Sequence, residues 1–405
     1  MPGLSDTATD THTLTPARPW LLLLGLFLVA LNLRPALSSL SPLLRQIEAE
    51  TGLSSAAAGL LTTAPVLCLG LFAPLAARLS NRIGSEKTVL ITLIVLAGGI
   101  LLRSLFPPAG LFAGSVMAGA CIGIIGVLLP GIIKRDFPNQ AGQLMGVYTM
   151  ALCMGAALAA GATAPLGAWM DHHWQPALGA WALLALIAAI VWLPQIRATH
   201  HTHRQRWQVT GLWTDRLAWQ VTLYMGLQSS LAYIVFGWLP SILIDRGLTT
   251  IEAGLALSGS ILIQLISALA TPWLATRGRD QRLTVVIVIS LTLAGLLGCL
   301  YGPLPMLWLW TLLLGLGQGG TFSIALALIV LRSPNAHVAA RLSGMSQGVG
   351  YTLAALGPFL VGLIHDLTHG WNGIGLLFIL ISVAALLFGI QAGRDRHVQA
   401  QSTPL

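Results

Sequence analysis

Charge is what this sequence lacks most. Only 8% of its 405 residues are Asp, Glu, Lys or Arg, against roughly 25% in an average soluble domain. That is too little to cover a water-facing surface of this size, which excludes a soluble globular fold. The chain also lacks the alternating segments of about ten residues that mark a membrane β-barrel. Its four cysteines, Cys68, Cys121, Cys153 and Cys299, stand at unrelated spacings within apolar stretches. They read as small apolar residues, which excludes a disulfide or metal framework. No HExxH motif, no paired carboxylates and no His occur inside an apolar stretch. A membrane-embedded enzyme would need such a constellation. A channel would be lined more continuously by polar rings, and these are missing too.

What the chain has is hydrophobic length. Apolar residues make up 55% of it, and the mean hydropathy is +0.80. A helix needs about 20 apolar residues to cross roughly 30 Å of hydrocarbon. Twelve windows qualify, near 20–40, 55–77, 88–106, 111–133, 143–165, 176–194, 218–240, 253–275, 283–302, 306–330, 342–364 and 373–391. The first is too long for a signal-peptide core and reads as a retained helix. The connections are short except for 195–217, which is polar, basic and rich in His, and divides the spans six and six. Its His200-His201-Thr202-His203 tract reads as part of a solvated linker rather than a metal site.

The net charge of +8 raises the question of nucleic acid. The basic residues, however, lie in short clusters between spans, a pattern of membrane topology and not of a nucleic-acid face. With the termini cytoplasmic, 17 of the 21 Lys and Arg fall on the inside, Arg45 and Arg246 fall in outer loops, and Arg34 and Arg103 fall within spans. The halves also repeat. Gly52-Leu53-Ser54-Ser55 through Gly59-Leu60 recurs 195 residues later as Gly247-Leu248-Thr249-Thr250 through Gly254-Leu255.

The expectation is therefore an all-α membrane protein with twelve transmembrane helices in two pseudo-symmetric six-helix bundles. The parts are an N-terminal tail (1–19), a first bundle (20–194), a cytoplasmic linker (195–217), a second bundle (218–391) and a C-terminal tail (392–405). Duplicated bundles are the plan of a rocking transporter with its substrate near the midplane.

Inside the spans the ionisable inventory is short. All thirteen acids and all ten histidines fall in tails, loops or span ends. Arg34 alone lies well within a helix, where a charge costs about 2.5–3.5 kcal/mol on insertion scales. Its flat fork of donors suits a carboxylate, a nitro group or a small linear anion; the alternative is snorkelling to the outer headgroups. Pro35 leaves one helix carbonyl free for a ligand. Arg103, beside Phe106-Pro107-Pro108, reads as a snorkelling residue. Polar side chains recur at helical spacing: Ser343, Gln347 and Tyr351 in span 11, Ser260, Gln264, Ser267 and Thr271 in span 8. Helix–helix hydrogen bonding accounts for any one of them. As a set around Arg34 they form a candidate substrate site of Arg34, Asn32, Ser38, Tyr148, Gln228, Tyr233, Gln318, Gln347 and Tyr351. The small-residue pairs Gly119/Gly123, Gly315/Gly319 and Gly155/Ala159 read as helix-packing motifs. Arg82, Lys134, Arg135 and Asp136, with Arg277 and Arg341 in the second half, are candidate gating residues at the cytoplasmic face.

Several segments carry a family resemblance. Leu79-Ser80-Asn81-Arg82-Ile83-Gly84-Ser85-Glu86-Lys87 resembles the loop pattern of the major facilitator superfamily, with Asn81 where that pattern has an aspartate. Ala30-Leu31-Asn32-Leu33-Arg34-Pro35, Leu128-Leu129-Pro130 through Asp136-Phe137-Pro138, Gly237-Trp238-Leu239-Pro240 and Leu342-Ser343-Gly344 through Gly350-Tyr351 together resemble the cyanate permease / 2-nitroimidazole transporter family. The resemblance implies a bacterial inner-membrane transporter, working as a monomer without a cofactor, for a cyanate-like or nitroimidazole-like solute. The alternative within the same fold is a proton-coupled efflux transporter, which commonly uses an intramembrane carboxylate that this chain lacks.

Overall fold

The computed structural model describes residues 19–106, 108–197, 207–276 and 280–404. Among them twelve helical segments are long and apolar enough to cross a membrane. In the first half these are span 1 (Trp20–Thr51), span 2 (Ser55–Ile83), span 3 (Ser85–Leu105), span 4 (Ala109–Asp136), span 5 (Gln143–Trp169) and span 6 (Trp174–Ile196). The second half has span 7 (Arg216–Asp245), span 8 (Thr250–Thr271), span 9 (Arg282–Tyr301), span 10 (Leu304–Leu331), span 11 (His337–Thr368) and span 12 (Asn372–Ala392). Each expected window is present. Spans 2, 7 and 11 run a turn or more past the hydropathy edges, because their terminal turns carry polar residues that an apolar window does not detect.

Span 1 departs most from expectation: it reaches Thr51 and is not one helix. Its first segment ends at Leu31, a turn occupies Asn32–Arg34, and short helical pieces follow at Pro35–Ser38, Ser41–Leu43 and Leu44–Thr51. Pro35 has no N–H to return to the Leu31 carbonyl, so the helix ladder is interrupted where Arg34 stands. Neighbours repair the break. The Asn32 side-chain amide donates to Leu28 O (2.8 Å) and to Leu184 O in span 6 (3.2 Å). Ser38 Oγ donates to Arg34 O (3.2 Å) and to Ala156 O in span 5 (3.0 Å). The Leu31 carbonyl abuts Gly155 of span 5, where a Cβ would collide with it. It is therefore covered by protein and is not offered to a ligand, which corrects the expectation drawn from Pro35.

Arg103 is a second correction. It is 1% exposed, and its guanidinium reaches inward to Ala36 O (2.6 Å) and Ser39 Oγ (3.2 Å). Instead of snorkelling, it braces the broken part of span 1 from span 3.

The internal repeat has a structural counterpart. Gly52 and Gly247 both take left-handed conformations, with φ of 68° and 103°, just before spans 2 and 8. Span 8 then caps itself, the Glu252 carboxylate accepting from Thr249 N (2.8 Å). Span 2 has no acid in its first turn. It receives one from the other half: Asp366 of span 11 accepts from Ser55 N (2.9 Å) and Ala56 N (2.7 Å).

Because twelve spans alternate in direction, Pro19, the middle linker and the C-terminal tail share one end of the molecule, here the tail end. The turns after spans 1, 7 and 11 lie at the opposite, loop end. At the tail end, linker strand β1 (Trp207–Thr210) pairs antiparallel with β2 (Gln401–Pro404) of the C-terminal tail. Val398 and Ala400 of that tail are buried with residues of spans 7, 9, 10, 11 and 12. Hydropathy gives no hint of this return, which rests on main-chain bonds such as Val398 N to Arg332 O (2.9 Å) and on Gln399 N donating to the Asp215 carboxylate (2.8 Å).

Candidate functional site

A cavity of about 60 Å³ lies between the halves, where a single water needs about 10–15 Å³. From the first half it is lined by Arg34, Thr149, Leu152, Cys153 and Ala156; from the second by Gln228, Ser229, Ala232, Tyr233, Phe236, Ile261, Gln264, Ala268, Gln318, Gly319, Phe322 and Tyr351. No Asp, Glu or His is among these lining residues.

Arg34 stands in the turn before Pro35, at the break in span 1, and lines this cavity. Its guanidinium carbon lies 5.5 Å from the Phe236 ring centre and 5.9 Å from that of Tyr233, within cation–π range. It forms no ion pair with a described residue. Tyr233 and Tyr351 meet edge to face at 6.1 Å, and Tyr233 and Phe236 lie at 6.3 Å. The cation therefore stands over an aromatic wall beside a small space. Across the cavity, Gln264 Nε2 donates to Gln318 Oε1 (3.0 Å), and Gln318 Nε2 lies 3.4 Å from Leu231 O. Gly319 presses against the backbone of Gln264, where a Cβ would not fit, so the small-residue pair of span 10 seats this amide pair.

Of the nine candidate contacts, the structure brings Arg34, Gln228, Tyr233, Gln318 and Tyr351 together at the cavity. Asn32 and Ser38 instead stitch the broken span to its neighbours. Gln347 donates to Ser343 Oγ within its own helix (2.8 Å), and Tyr148 packs against the core. Phe236 and Phe322 were not expected. Each lies one turn from an expected contact, at i+3 from Tyr233 and i+4 from Gln318, so helical spacing was the signal that would have found them. Cys153, read only as apolar, lines the cavity one turn from Thr149.

The tail-end candidates sit apart from the cavity. Arg135 donates to Glu86 (2.5 Å) and Asp136 (2.5 Å) within the first half. Arg82, Lys134 and Arg341 are exposed, and Arg277 lies outside the described residues. Ties between the halves occur at the loop end, where sequence reasoning placed none. There Arg45 pairs with Asp245 through Nε (3.1 Å) and Nη2, Asp366 caps span 2, and His365 Nδ1 meets Ser55 Oγ (3.1 Å). Within the second half, Trp371 Nε1 also donates to Asp245 (3.0 Å).

Twelve spans in two repeated bundles, closed at one end over a central cavity, describe a transporter, and comparison with known proteins agrees. The Major Facilitator Superfamily profile matches residues 22–296 and 245–404. The chain belongs to the major facilitator superfamily. It is 39% identical over 388 residues to the 2-nitroimidazole transporter of Escherichia coli (93% of this chain, 96% of the relative). It is 32% identical over 384 residues to the cyanate transport protein CynX of Escherichia coli (91% and 98%). In fold it is similar to the inward open conformation of the xylose transporter XylE from E. coli, with a TM-score of 0.73 at 13% identity, covering 94% of this chain and 97% of that one. This major facilitator chain is thus a multi-pass membrane transporter of small molecules, not an enzyme.

Proposed function

We propose that this transporter carries a small, flat, anionic or nitro-bearing solute of the cyanate or nitroimidazole kind, with Arg34 as its anchor. The observation that carries the reading is Arg34 itself. A permanently charged fork without an ion-pair partner among the described residues lines a small cavity between the halves, against aromatic rings. A guanidinium in such a place favours a flat acceptor group that accepts two of its hydrogen bonds at once. The 2-nitroimidazole and cyanate carried by the two Escherichia coli relatives fit this chemistry. Proton-coupled drug efflux is not favoured, since no carboxylate is among the described residues that line the cavity.

The pathway follows alternating access. Basic residues concentrated at the tail end support a cytoplasmic location for both termini in a bacterial inner membrane. On that orientation the loop-end ties close the outer side. Gly59, Gly161, Gly254 and Gly362, in the loop-end parts of their spans, press on the opposite half, whereas Gly146 and Gly344, toward the tail end, meet nothing within 4 Å. This asymmetry supports a state closed outward. One chain encloses the whole cavity, which supports a functional monomer.

The test is ligand-induced stabilisation of the purified protein. Binding to the folded state raises the unfolding temperature by mass action. 2-Nitroimidazole and cyanate are expected to raise it, and cationic drugs are not. A response to the cationic drugs alone overturns the reading.

A further inference from the structure

Arg34 accounts for one end of a solute. The same cavity is lined by a group that the protein leaves without a partner. Gln228 lines the cavity and is 2% exposed. Its Nε2 donates to Ser229 Oγ (2.7 Å) and to Met225 O (3.2 Å), with Met225 Sδ at 3.4 Å. Its Oε1 is buried and accepts no hydrogen bond. Exchanging the two amide atoms would set oxygen against the Met225 carbonyl, so the surrounding bonds fix the orientation. Gln318, the other fully buried amide of the cavity, differs, since its Oε1 already accepts from Gln264. Buried acceptors without partners are rare in folded proteins, and each calls for a reason.

We infer that Gln228 is the second pole of the site, its Oε1 accepting from an N–H or O–H on the transported solute while Arg34 holds that solute's anionic or nitro end. This rests on the anchor reading above and narrows it: the solute is a flat ring bearing an acceptor group and, elsewhere on the ring, a hydrogen-bond donor. Cyanate satisfies only Arg34. A site that expects a donor discriminates strongly against an analogue lacking one, because the analogue leaves a buried polar group unpaired.

The experiment compares 2-nitroimidazole with 1-methyl-2-nitroimidazole, which keeps the nitro group and replaces the N–H by a methyl. Both are titrated into the purified full chain by thermal shift, at a pH where the parent ring keeps its proton. The wild type is expected to bind the N–H compound about tenfold or more tightly. In Gln228→Leu that ratio should collapse toward one, and in Gln228→Asn, which keeps the amide but withdraws it by one methylene, it should fall part-way. If Gln228→Leu does not fold, the wild-type ratio and the Gln228→Asn ratio decide. Equal affinities in the wild type, or a ratio that neither variant changes, overturn the role of Gln228. Arg34→Ala separates the two readings. Binding that needs Arg34 but ignores Gln228 sinks only this inference, whereas binding that survives Arg34→Ala, or no binding of either ring, sinks the anchor as well.

Discussion

Arg34 is costly wherever it sits in a membrane, and the fold accepts that cost by placing it where span 1 is already broken. The fork then lies over the Tyr233 and Phe236 rings and beside the cavity. A lysine would supply the charge as a single compact point without the planar pair of donors. Arg34→Ala should therefore abolish stabilisation by 2-nitroimidazole, and Arg34→Lys should leave a partial response. Thermal unfolding with and without the solute reads both. A second prediction concerns pH. A proton carried by a side chain needs a titrating group exposed to the cavity, and none of the lining residues is Asp, Glu or His. Any pH dependence of uptake into proteoliposomes should follow the solute's own ionisation. Asp136→Asn and Glu252→Gln should leave it unchanged; an altered pH dependence in either would reveal a coupled proton site.

The broken span is held from two sides, and the two supports should fail differently. Arg103 donates to Ala36 O and Ser39 Oγ in a fully buried setting. Hydrogen bonds to a charged group contribute about 1.5–3 kcal/mol each, so Arg103→Met should lower the unfolding temperature clearly and also weaken the response to 2-nitroimidazole, because the segment that presents Arg34 is released. Gly155 acts by being small, since it meets the Leu31 carbonyl where any side chain would intrude. Gly155→Leu should force spans 1 and 5 apart and cost stability of a comparable size, while Gly146→Ala, on the same span with open space around it, should be close to neutral. Equal unfolding temperatures for the two glycine variants would refute this account of the span 1–span 5 contact. Sequence pattern identified Pro35 as removing one helix hydrogen bond. It did not identify Arg103 as its brace, because residues 67 positions apart meet only after spans 1 and 3 pack.

For the whole molecule, the decisive contrast is between the two ends. The loop end is tied by Arg45–Asp245 and by Asp366, which supplies the first turn of span 2 with the negative charge it lacks. Capping of this kind contributes about 0.5–2 kcal/mol, and the partly exposed ion pair adds up to about 1 kcal/mol. Rocking to the other state must break all of these contacts. Asp366→Ala should therefore shift the population toward a loop-end-open form by about 2- to 30-fold, and combining it with Asp245→Asn should extend the shift. Spin labels at His172 and Leu367, exposed at the loop end of the first and second halves, would show it as longer distances; an unchanged distribution in the double variant would exclude the latch. The tail-end candidates form no tie between the halves among the described residues; Arg135 stays with Glu86 and Asp136 of its own half.

Hydropathy is a local property, and it was enough for the number of spans and their approximate limits, while the Gly52–Leu60 motif, repeated 195 residues later, was enough for the duplication of the halves. The same local reading singled out Arg34, because an isolated charge in an apolar window needs no neighbour to be conspicuous. Facing is not local. Gln228 lines the cavity while Gln347, an equally polar residue on an equally apolar helix, satisfies itself on Ser343. Asn32 and Ser38, near Arg34 in sequence, are used up in repairing the helix break. Arg45, read as a loop residue, joins the halves at Asp245, 200 positions away. Which polar groups bond to each other and which are left for a solute depends on how helices from the two halves meet. Only the packed structure brings those partners within hydrogen-bond range.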